Sequence, residues 1–542
     1  MFVDSRLVGA GTEVRTGVCV IGAGVAGLTL AMEFERAGVD AVVLESGGLQ
    51  PDGATADLYR GETRGLPYVF ADGSRYRYFG GSSNGWAGYC RPLAPIDFAQ
   101  REWVPDSGWP LDASALEPYL PRAHDFLDLG PFDYRLPEWI GRIDRSDVRR
   151  FPMPQDSRLE DLMTRFCVPT SLRGRYLDPM RHSRHVSVYL YANATQIELM
   201  PESDRVGRIE VKTLTGGRFS VSAKSFVVAC GGIENARLLL ASNRQVPAGI
   251  GNRYDIVGRY FADHPWLTVG RMRYAPHLRG NRLYDRMHQH KSQVMAVDGR
   301  YFGAQLALKP AVQQHERLLN AHLNLASVFR GAGSRAARAW IGLARRIKGL
   351  PEVQSSLFGE LRTLALTPAG AATFALARRL RLFGDLHLEV VCEPSPNRNS
   401  RVTLSSRNDA LGMPRVVVDW QMDDSVKRTI DRTAAIAAEE LRTAGVAEVE
   451  LFKPIQESGW PDEAPASWRN LGSWHHMGTT RMHTSPSHGV VDDHCRVHGV
   501  ENLYIAGSSV FPTYGANFPT LTIVALAIRL ADRLRAEAGG SR

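Results

Sequence analysis

The stretch that decides the fold is VCVIGAGVAGLTLAMEFERAGVDAVVLESG, at residues 18–47. A short apolar run leads into Gly22-x-Gly24-x-x-Gly27, and a helical pattern then leads to a second apolar run that ends at Glu45. In such a unit the first glycine permits the tight turn and the second lets a pyrophosphate approach the backbone, while the third lets the helix pack closely on the strand. The helix N-terminus faces the phosphate charge. The sequence therefore predicts a dinucleotide-binding α/β unit, in which Glu45 accepts hydrogen bonds from the adenosine ribose.

Three further features indicate which dinucleotide is bound. Glu45 would repel a phosphorylated ribose, which disfavours NADP. Near the C-terminus the sequence predicts a strand at 503–506, a Gly-Ser-Ser turn and a long amphipathic helix from about residue 519. The middle segment, 225–242, has the pattern of a buried strand, a Gly-Gly turn and a helix. A late return of the chain to the nucleotide domain is typical of flavoproteins, so FAD is favoured over NAD.

The bulk composition indicates a globular chain of more than one structural unit, because 542 residues are too many for one hydrophobic core. The net charge of +8 could favour anionic partners, but no block of five like charges is present and no nucleic-acid partner is predicted. Six well-separated cysteines without a C-x-x-C pattern predict neither a disulfide framework nor a metal site, and they favour a reducing compartment. The N-terminus lacks a signal-peptide pattern and no apolar run approaches about 18 residues, so a cytoplasmic location is expected.

Several motifs in fixed order carry a family resemblance. After the N-terminal fingerprint come RYRYFGGSSNGWAGYC (75–90), VGRYFADHP (257–265), HHMGTTRM (475–482) and GSSVFPT…NFPTLTIVALAIRLAD near the C-terminus. Together they resemble the glucose-methanol-choline (GMC) oxidoreductases over most of the chain. Within that family they resemble bacterial sugar and glycoside oxidases related to pyranose oxidase. The resemblance implies an α/β (α+β overall) fold, with a discontinuous Rossmann-like FAD-binding domain and a substrate domain whose antiparallel sheet is covered by helices.

The resemblance also implies where the two domains lie along the chain. The FAD-binding domain is expected at 1–100, 185–265 and 470–542, and the substrate-binding or cap domain at 101–184 and 266–469. A basic helical insertion is expected at about 334–382. Its amphipathic helices could pack as a lid, form an oligomer contact or lie on an anionic membrane, and membrane contact is the least favoured of the three.

The implied reaction is oxidation of an alcohol to a carbonyl, with hydride transfer to the flavin N5. In the family, the catalytic histidine stands three residues before the glycine of an H-x-x-G-T pattern, which corresponds to His475 here. An alcohol C–H bond gives up a hydride readily only as the O–H proton departs, and an imidazole suits that proton transfer near neutral pH. His476 is interpreted as a supporting residue. His264 and His387 lack metal-ligand spacing and are interpreted as structural.

The second catalytic residue expected in the family, a His or Asn shortly before the C-terminal helix, is displaced by one position here. The order is Asn517-Phe518-Pro519-Thr520, so when Pro519 is the anchor the expected slot holds Phe518. Asn517 is predicted to orient the substrate oxygen if the loop bulges. The loop at 75–90 contains no histidine, and Gly85 stands where some relatives bond the flavin, so noncovalent FAD is predicted.

The remaining predicted cofactor contacts lie in small or polar segments that approach the flavin or the nucleotide. They are Gly80, Gly81, Ser82, Ser83, Asn84, Ala194, Gly507, Ser508, Phe518 and Thr520.

The predicted substrate is a small-molecule alcohol, most plausibly a sugar, glycoside or polyol hydroxyl. The electron acceptor is expected to be oxygen, or a quinone or another acceptor, and the sequence allows an oligomer. Two other functions stay open: an FAD-containing hydroxynitrile lyase, in which the same histidine deprotonates a cyanohydrin, and an oxidase of a non-sugar secondary-metabolite or lipid alcohol. A structural flavoprotein recruited to membranes through the basic helices is a third alternative.

Overall fold

The architecture is taken from a computed structural model, which describes residues 1–68, 74–289, 295–347, 356–461 and 471–539. Its strands, in chain order, are β1 (Phe2–Asp4), β2 (Glu13–Ile21), β3 (Ala41–Glu45), β4 (Gly61–Gly65), β5 (Tyr89–Cys90), β6 (Leu159–Phe166), β7 (Val186–Leu190), β8 (Asn193–Leu199), β9 (Val206–Lys212), β10 (Arg218–Val228), β11 (Trp266–Tyr274), β12 (Ala296–Val297), β13 (Arg300–Leu308), β14 (Ala321–Phe329), β15 (Phe383–Cys392), β16 (Arg401–Asn408), β17 (Pro414–Trp420), β18 (Ala447–Leu451) and β19 (Leu503–Ile505).

The α-helices, in the same order, are α1 (Val25–Ala37), α2 (Gly53–Asp57), α3 (Pro95–Phe98), α4 (Leu120–Leu127), α5 (Leu136–Ile140), α6 (Leu172–Arg181), α7 (Glu234–Ala241), α8 (Pro310–Glu316), α9 (Arg335–Ile347), α10 (Leu357–Leu366), α11 (Pro368–Leu380), α12 (Asp424–Thr443), α13 (Ile455–Ser458) and α14 (Thr520–Gly539).

The first sheet has the strand order β1-β7-β3-β2-β10-β9-β8, and β19 also pairs with β10. The pairs among β1, β7, β3, β2, β10 and β19 are parallel, whereas β9 pairs antiparallel with both β10 and β8. All five residues of β3 are buried, as expected for an inner strand of a parallel sheet. This is the predicted α/β nucleotide-binding architecture, and the predicted fold class is confirmed.

Helix α1 begins directly after the glycine turn of residues 22–24 and ends at Gly38. Gly38 adopts a left-handed conformation (φ 67°), and its amide N–H donates to carbonyls of the last helical turn. Most of α1 is buried, and its fully buried apolar residues include Leu28, Leu30 and Phe34. The helix packs against α14, the last helix of the described chain. The beginning and the end of the chain therefore form one layer over the same sheet.

The second sheet is antiparallel, with the order β18-β11-β15-β14-β13-β6-β5, and β12 pairs with β13. Helix α12 packs on β18 and β15. A small third sheet, β16-β17-β4, joins residues 61–65 to residues 414–420 and so connects the first segment of the chain to a late one. The predicted antiparallel sheet covered by helices is present.

The strands of the first sheet all come from the three segments predicted to form the FAD-binding domain. The short strand β5 lies in the first of those segments but pairs with β6 of the second sheet. The domain boundaries themselves stay a prediction.

A helical insertion, which we define as residues 330–382, separates the neighbouring strands β14 and β15. Its described residues form three helices, α9, α10 and α11. Residues 348–355 of the predicted helical insertion lie outside the described residues. Within the described ranges, no helix is long and apolar enough to cross a membrane.

Candidate active site

A cavity of about 1010 Å³ runs from the glycine turn of the first sheet to the face of the antiparallel sheet. It is lined at one end by the nucleotide-binding motif and at the other by aromatic side chains of β5 and β11. Most of the predicted site residues line it, namely Gly22, Gly24, Glu45, Gly81, Ser82, Ser83, Asn84, Ala194, His475, Gly507, Ser508, Phe518 and Thr520.

Gly27 and Gly80 lie outside the lining because they hold the glycine turn in place. A Cβ at Gly27 would stand 1.8 Å from the carbonyl oxygen of Gly22, so only glycine permits this helix to approach the strand. Gly80 (φ 95°) donates its amide N–H to the carbonyl of Ala23 at 3.0 Å. These two glycines contact the turn on the side away from the cavity and so stabilise its shape.

Three glycines leave the backbone open to the cavity, and we call them the open glycines: Gly24, Gly231 and Gly507. A Cβ on any of them would meet no heavy atom within 4 Å. Because all three line the cavity, a ligand can approach the backbone closely at each of them. The open glycines stand at three turns of one sheet, after β2, β10 and β19. This long, glycine-lined space fits the extended shape of a dinucleotide.

The Glu45 carboxylate lies at the end of β3 and is fixed by backbone amides. Its two oxygens accept hydrogen bonds from Ala23 N and Gly47 N, both at 2.9 Å. Burial raises the pKa of Glu45, although these amides and the nearby Arg77 act in the opposite direction. A carboxyl oxygen still has lone pairs for a ribose hydroxyl, which is the role predicted from the sequence.

An ion cluster that the sequence analysis did not identify forms part of the same wall. Glu234, at the start of α7, accepts hydrogen bonds from Arg75 at 2.8 Å, Arg77 at 2.9 Å and Arg237 at 3.1 Å. Burial alone would raise the pKa of Glu234, but the three arginines lower it to about 2. The cluster ties the RYRYFGG loop to α7, and Arg77 gives the cavity a positive charge.

His475 lies in a loop that the buried carboxylate of Asp263 holds in place. Asp263 Oδ1 accepts from the amides of His475 at 2.7 Å and Ser473 at 3.1 Å, and Oδ2 accepts from Trp474 N at 2.8 Å. Trp474 has a positive φ of 62°, which is uncommon for a residue with a side chain. Burial raises the pKa of Asp263 to about 7, while the three amide hydrogen bonds lower it. The carboxylate thus fixes three consecutive residues around the histidine.

The side chain of His475 is oriented by a second imidazole. Its Nδ1 lies 2.8 Å from Nδ1 of His264, and Nε2 of His264 lies 2.7 Å from the carbonyl oxygen of Gly515. A carbonyl can only accept, so His264 Nε2 carries the hydrogen, and the Nδ1 of neutral His264 is an acceptor. Burial lowers the pKa of His264 to about 4, which keeps it neutral at neutral pH. His475 must therefore donate from Nδ1, and its basic lone pair lies on Nε2.

His264 is thus more than the structural residue that the sequence analysis assumed. It is fully buried and contacts the imidazole of His475 directly, with the ring centroids 5.1 Å apart. The two residues are separated by 211 positions in the chain. The only sequence signal was the motif FADHP, in which Asp263 and His264 are adjacent.

His476, the neighbour of the predicted base, also lines the cavity, but its ring is engaged by buried partners. Its Nε2 is hydrogen-bonded to the hydroxyl of Tyr68, and its ring lies face to face with Phe261. Burial lowers the pKa of His476 to about 3, so the ring is neutral. The backbone carbonyl of His476 accepts from Ser508 Oγ at 2.6 Å, which joins this loop to the turn after β19. These contacts agree with a supporting position.

Asn517 is not among the residues that line the cavity. Its Oδ1 accepts from Nε of the buried Arg91 at 2.7 Å, and its Nδ2 donates to the carbonyl of Pro92 at 2.7 Å. The residue of this loop that faces His475 is Phe518, with ring centroids 5.8 Å apart at a near-perpendicular angle. The predicted role of Asn517 beside His475 gains no support from this placement, because both ends of its amide are engaged elsewhere.

The far end of the cavity is formed by residues that the sequence analysis did not name. Tyr89, Trp266, Arg286 and Met287 line it. Arg286 forms a two-pronged pair with Glu389 at 2.8 and 2.9 Å, and Trp266 Nε1 donates to the same carboxylate at 2.9 Å. The end opposite the glycine turn is therefore aromatic, with one guanidinium that a carboxylate already holds.

Comparison with known proteins agrees with this arrangement. Residues 396–527 match the family model described as GMC oxidoreductase. The chain is also similar to 6'''-hydroxyparomomycin C oxidase from Streptomyces lividus. The two sequences are 26% identical over an alignment that covers 97% of this chain and 92% of that protein. A shorter region is 32% identical to C-glycoside 3-oxidase from Arthrobacter globiformis, covering 28% of this chain and 27% of that protein. The C-terminal part of the chain thus matches the GMC oxidoreductase model, and the similarity to a named oxidase extends over almost the whole chain.

The fold of this chain is also that of solved structures. Formate oxidase from Aspergillus oryzae RIB40 superimposes with a TM-score of 0.55, covering 98% of this chain and 100% of that one at 15% identity. At this identity the likeness concerns the fold. The relatives found by sequence are named as oxidases and dehydrogenases.

The two glycines of the nucleotide turn provide a matched pair of substitutions. Gly27→Ala should lower the free energy of unfolding by more than about 2 kcal/mol, because the new Cβ would overlap the Gly22 carbonyl. Gly24→Ala should change it by less than about 1 kcal/mol, because its Cβ enters open space, yet it should weaken binding of the predicted FAD more than about tenfold. Denaturant unfolding of the apoprotein and FAD titration measure the two effects. Equal loss of stability in both variants, or normal FAD binding by Gly24→Ala, would contradict this geometry.

Proposed function

We propose that this chain is a GMC oxidoreductase that binds FAD noncovalently and oxidises an alcohol group of a sugar, glycoside or polyol to a carbonyl. The observation that supports the proposal is the hydrogen bond from His475 to His264, together with the finding that His475 and the open glycines line the same cavity. When bound, FAD supplies the acceptor for the hydride that leaves the alcohol carbon. The cavity residues described above supply the binding site for its nucleotide part.

The role of His475 in this reaction is to remove the hydroxyl proton. Its Nδ1 is occupied by the hydrogen bond to His264, so Nε2, on the opposite side of the ring, accepts the proton. A neutral imidazole is a suitable base near neutral pH, and a base held in one orientation avoids the cost of ordering during the reaction. His264 does not touch the substrate in this scheme, and we assign it as a positioning residue.

The proposed substrate class is supported by the cavity and by the relatives. The end formed by Tyr89, Trp266 and Phe518 offers flat aromatic surfaces, against which the C–H face of a sugar ring can pack. Two relatives are named as oxidases of 6'''-hydroxyparomomycin C and of C-glycosides.

The proposal includes oxygen, or a quinone or similar compound, as the final electron acceptor. We place the reaction in the cytoplasm, because all six cysteines are unpaired thiols.

The noncovalent attachment of FAD is tested by acid precipitation of the purified protein. No histidine occurs in the loop at 75–90, and Gly85, whose Cβ position is filled by the ring of Tyr76, offers no side chain for a bond. The yellow colour should therefore appear entirely in the supernatant after precipitation. A pellet that keeps its flavin absorbance would show a covalent link and refute this part of the proposal.

Replacing the proposed base tests the reaction itself. His475→Ala should retain FAD but lower the rate of anaerobic flavin reduction by alcohol by about 10²- to 10⁴-fold, which is the usual contribution of a general base. The exposed His488→Ala serves as a matched control and should reduce FAD at the wild-type rate. Stopped-flow measurement of flavin bleaching provides the rates. Reduction of His475→Ala at the normal rate would rule out the assignment of the base.

If no alcohol bleaches the wild-type flavin while a cyanohydrin is cleaved, the enzyme is a lyase.

Replacing the positioning residue gives a different signature. His264→Phe keeps a ring of similar size but removes the acceptor for His475 Nδ1, so the imidazole should turn and sample both tautomers. The flavin reduction rate should fall about 10- to 100-fold with little change in substrate affinity, and the pH profile of reduction should shift. A loss of substrate affinity with an unchanged maximal rate and pH profile would mean that His264 only fills space. Thermal unfolding and FAD content separate these outcomes from misfolding.

A further inference from the structure

The helical insertion of residues 330–382 is not needed to build the antiparallel sheet. Strands β14 and β15 pair directly along their length, up to Phe329 opposite Phe383. The amide of Arg330 donates to the carbonyl of Leu382 at 3.1 Å, which closes the base of the insertion. A two-residue turn could join such neighbouring strands. The insertion is therefore an addition to the fold, and pairing of β14 with β15 does not account for the residues on its surface.

The three helices of the insertion pack with small residues inside. A Cβ at Gly342 of α9 would lie 2.1 Å from the buried carboxylate of Glu360 in α10. The corresponding atom at Gly370 of α11 would lie 3.2 Å from the Cβ of Ala336, and Ala336 and Ala337 are fully buried. Of the larger apolar residues, Phe374 is buried. The contacts between the helices thus use mostly alanine and glycine.

The large apolar side chains of the insertion face outward. Among the described residues, half of the exposed large hydrophobic side chains of the whole chain belong to the insertion. On α10, Leu357 and Leu361 are four positions apart and Phe358 is 76% exposed; on α11, Leu376 and Leu380 repeat the same spacing. The insertion's exposed set comprises Trp340, Leu357, Phe358, Leu361, Leu366, Leu376, Leu380 and Leu382. Such a concentration of apolar surface marks a site of contact with a protein or a membrane.

The same segment carries as much net positive charge as the whole protein. Residues 330–382 contain ten Lys or Arg residues and two acidic residues, which gives +8, equal to the formal net charge of the chain. One of the two acids, Glu360, is buried among the helices, whereas Arg335, Arg338, Arg362, Arg378 and Arg379 are exposed. The general basicity of the sequence is therefore a local property of the insertion.

We propose that the helical insertion docks onto the surface of a membrane rich in anionic lipids. Exposed leucines, a phenylalanine and a tryptophan would enter the boundary between headgroups and acyl chains, and the surrounding arginines would pair with lipid phosphates. Helices that lie in this interface present apolar residues to the acyl chains and Lys or Arg to the headgroups, and both residue types are exposed on α10 and α11. The contact requires no membrane-spanning helix.

The distribution of charge argues against a second copy of the chain as the occupant. In a two-fold symmetric dimer the same patch meets itself, so the arginines of one insertion would face those of the other. Like charges brought together at an interface cost several kcal/mol. An anionic lipid surface, by contrast, neutralises the arginines and receives the apolar side chains at the same time.

Docking in this manner would bring the membrane close to the cavity. Arg381, directly after α11, donates to the carbonyl of Met287 at 3.3 Å, and Met287 lines the cavity. The insertion is therefore attached beside the end of the cavity that is opposite the glycine turn.

Vesicle flotation of the full-length holoenzyme tests the proposal. The protein should float with vesicles of phosphatidylcholine and phosphatidylglycerol, and much less with phosphatidylcholine alone or at high salt. The double variant Arg378→Ser/Arg379→Ser should bind anionic vesicles about 25-fold more weakly, at about fivefold for each charge. The triple variant Phe358→Ser/Leu361→Ser/Leu366→Ser should lose at least about tenfold.

Matched controls use exposed residues outside the insertion: Arg64→Ser/Arg253→Ser, and Phe132→Ser/Met200→Ser/Leu214→Ser. Both should float like the wild type. A variant in which Asn-Gly replaces residues 331–381 should stay folded and stop floating. Equal vesicle binding by insertion and control variants would overturn the proposal. It would also be overturned by a protein that fails to bind anionic vesicles but forms a dimer, by light scattering, that the triple variant abolishes.

Discussion

The Nδ1 atoms of His264 and His475 lie 2.8 Å apart, and the Gly515 carbonyl decides the direction of the hydrogen bond between them. Each of these groups comes from a different part of the chain. The carboxylate of Asp263 fixes the backbone on which His475 stands, and it does so from the position next to His264. An imidazole in water alternates between tautomers and orientations. In this protein both are set before a substrate arrives, and the proposed chemistry depends on that.

The first sheet determines where this pair of histidines meets the nucleotide-binding turn. Strand β10 lies between β2, which leads into the glycine turn, and β19, which leads into the loop before α14. Since parallel strands point the same way, the turns that follow them gather at one edge of the sheet. The close contact between Gly27 and Gly22 then brings α1 onto the sheet with its N-terminus toward the cavity. Residues hundreds of positions apart thus line one continuous space.

The sequence allowed prediction of those features that local patterns specify. The glycine fingerprint, the apolar strands and Glu45 identified the first sheet. The family motifs identified His475, and most of the cofactor residues predicted from the sequence line the cavity. Contacts between distant residues could not be predicted in this way. His264 contacts His475 across 211 positions, and Arg91 contacts Asn517 across 426. Neither pair produces a periodic pattern or a fixed motif spacing in the sequence. The insertion shows the same limit, since its helical pattern was evident but only the packing shows that its leucines face outward.

The central claim is that Nε2 of His475 accepts the proton of an alcohol in a cavity that also holds FAD. A crystal structure of the FAD-loaded protein with a bound alcohol analogue tests it most directly. The account predicts a distance of about 2.6–3.2 Å between His475 Nε2 and the hydroxyl oxygen, with Nδ1 still on His264. A hydroxyl held by another side chain, with the His475 ring turned away from it, would contradict the account.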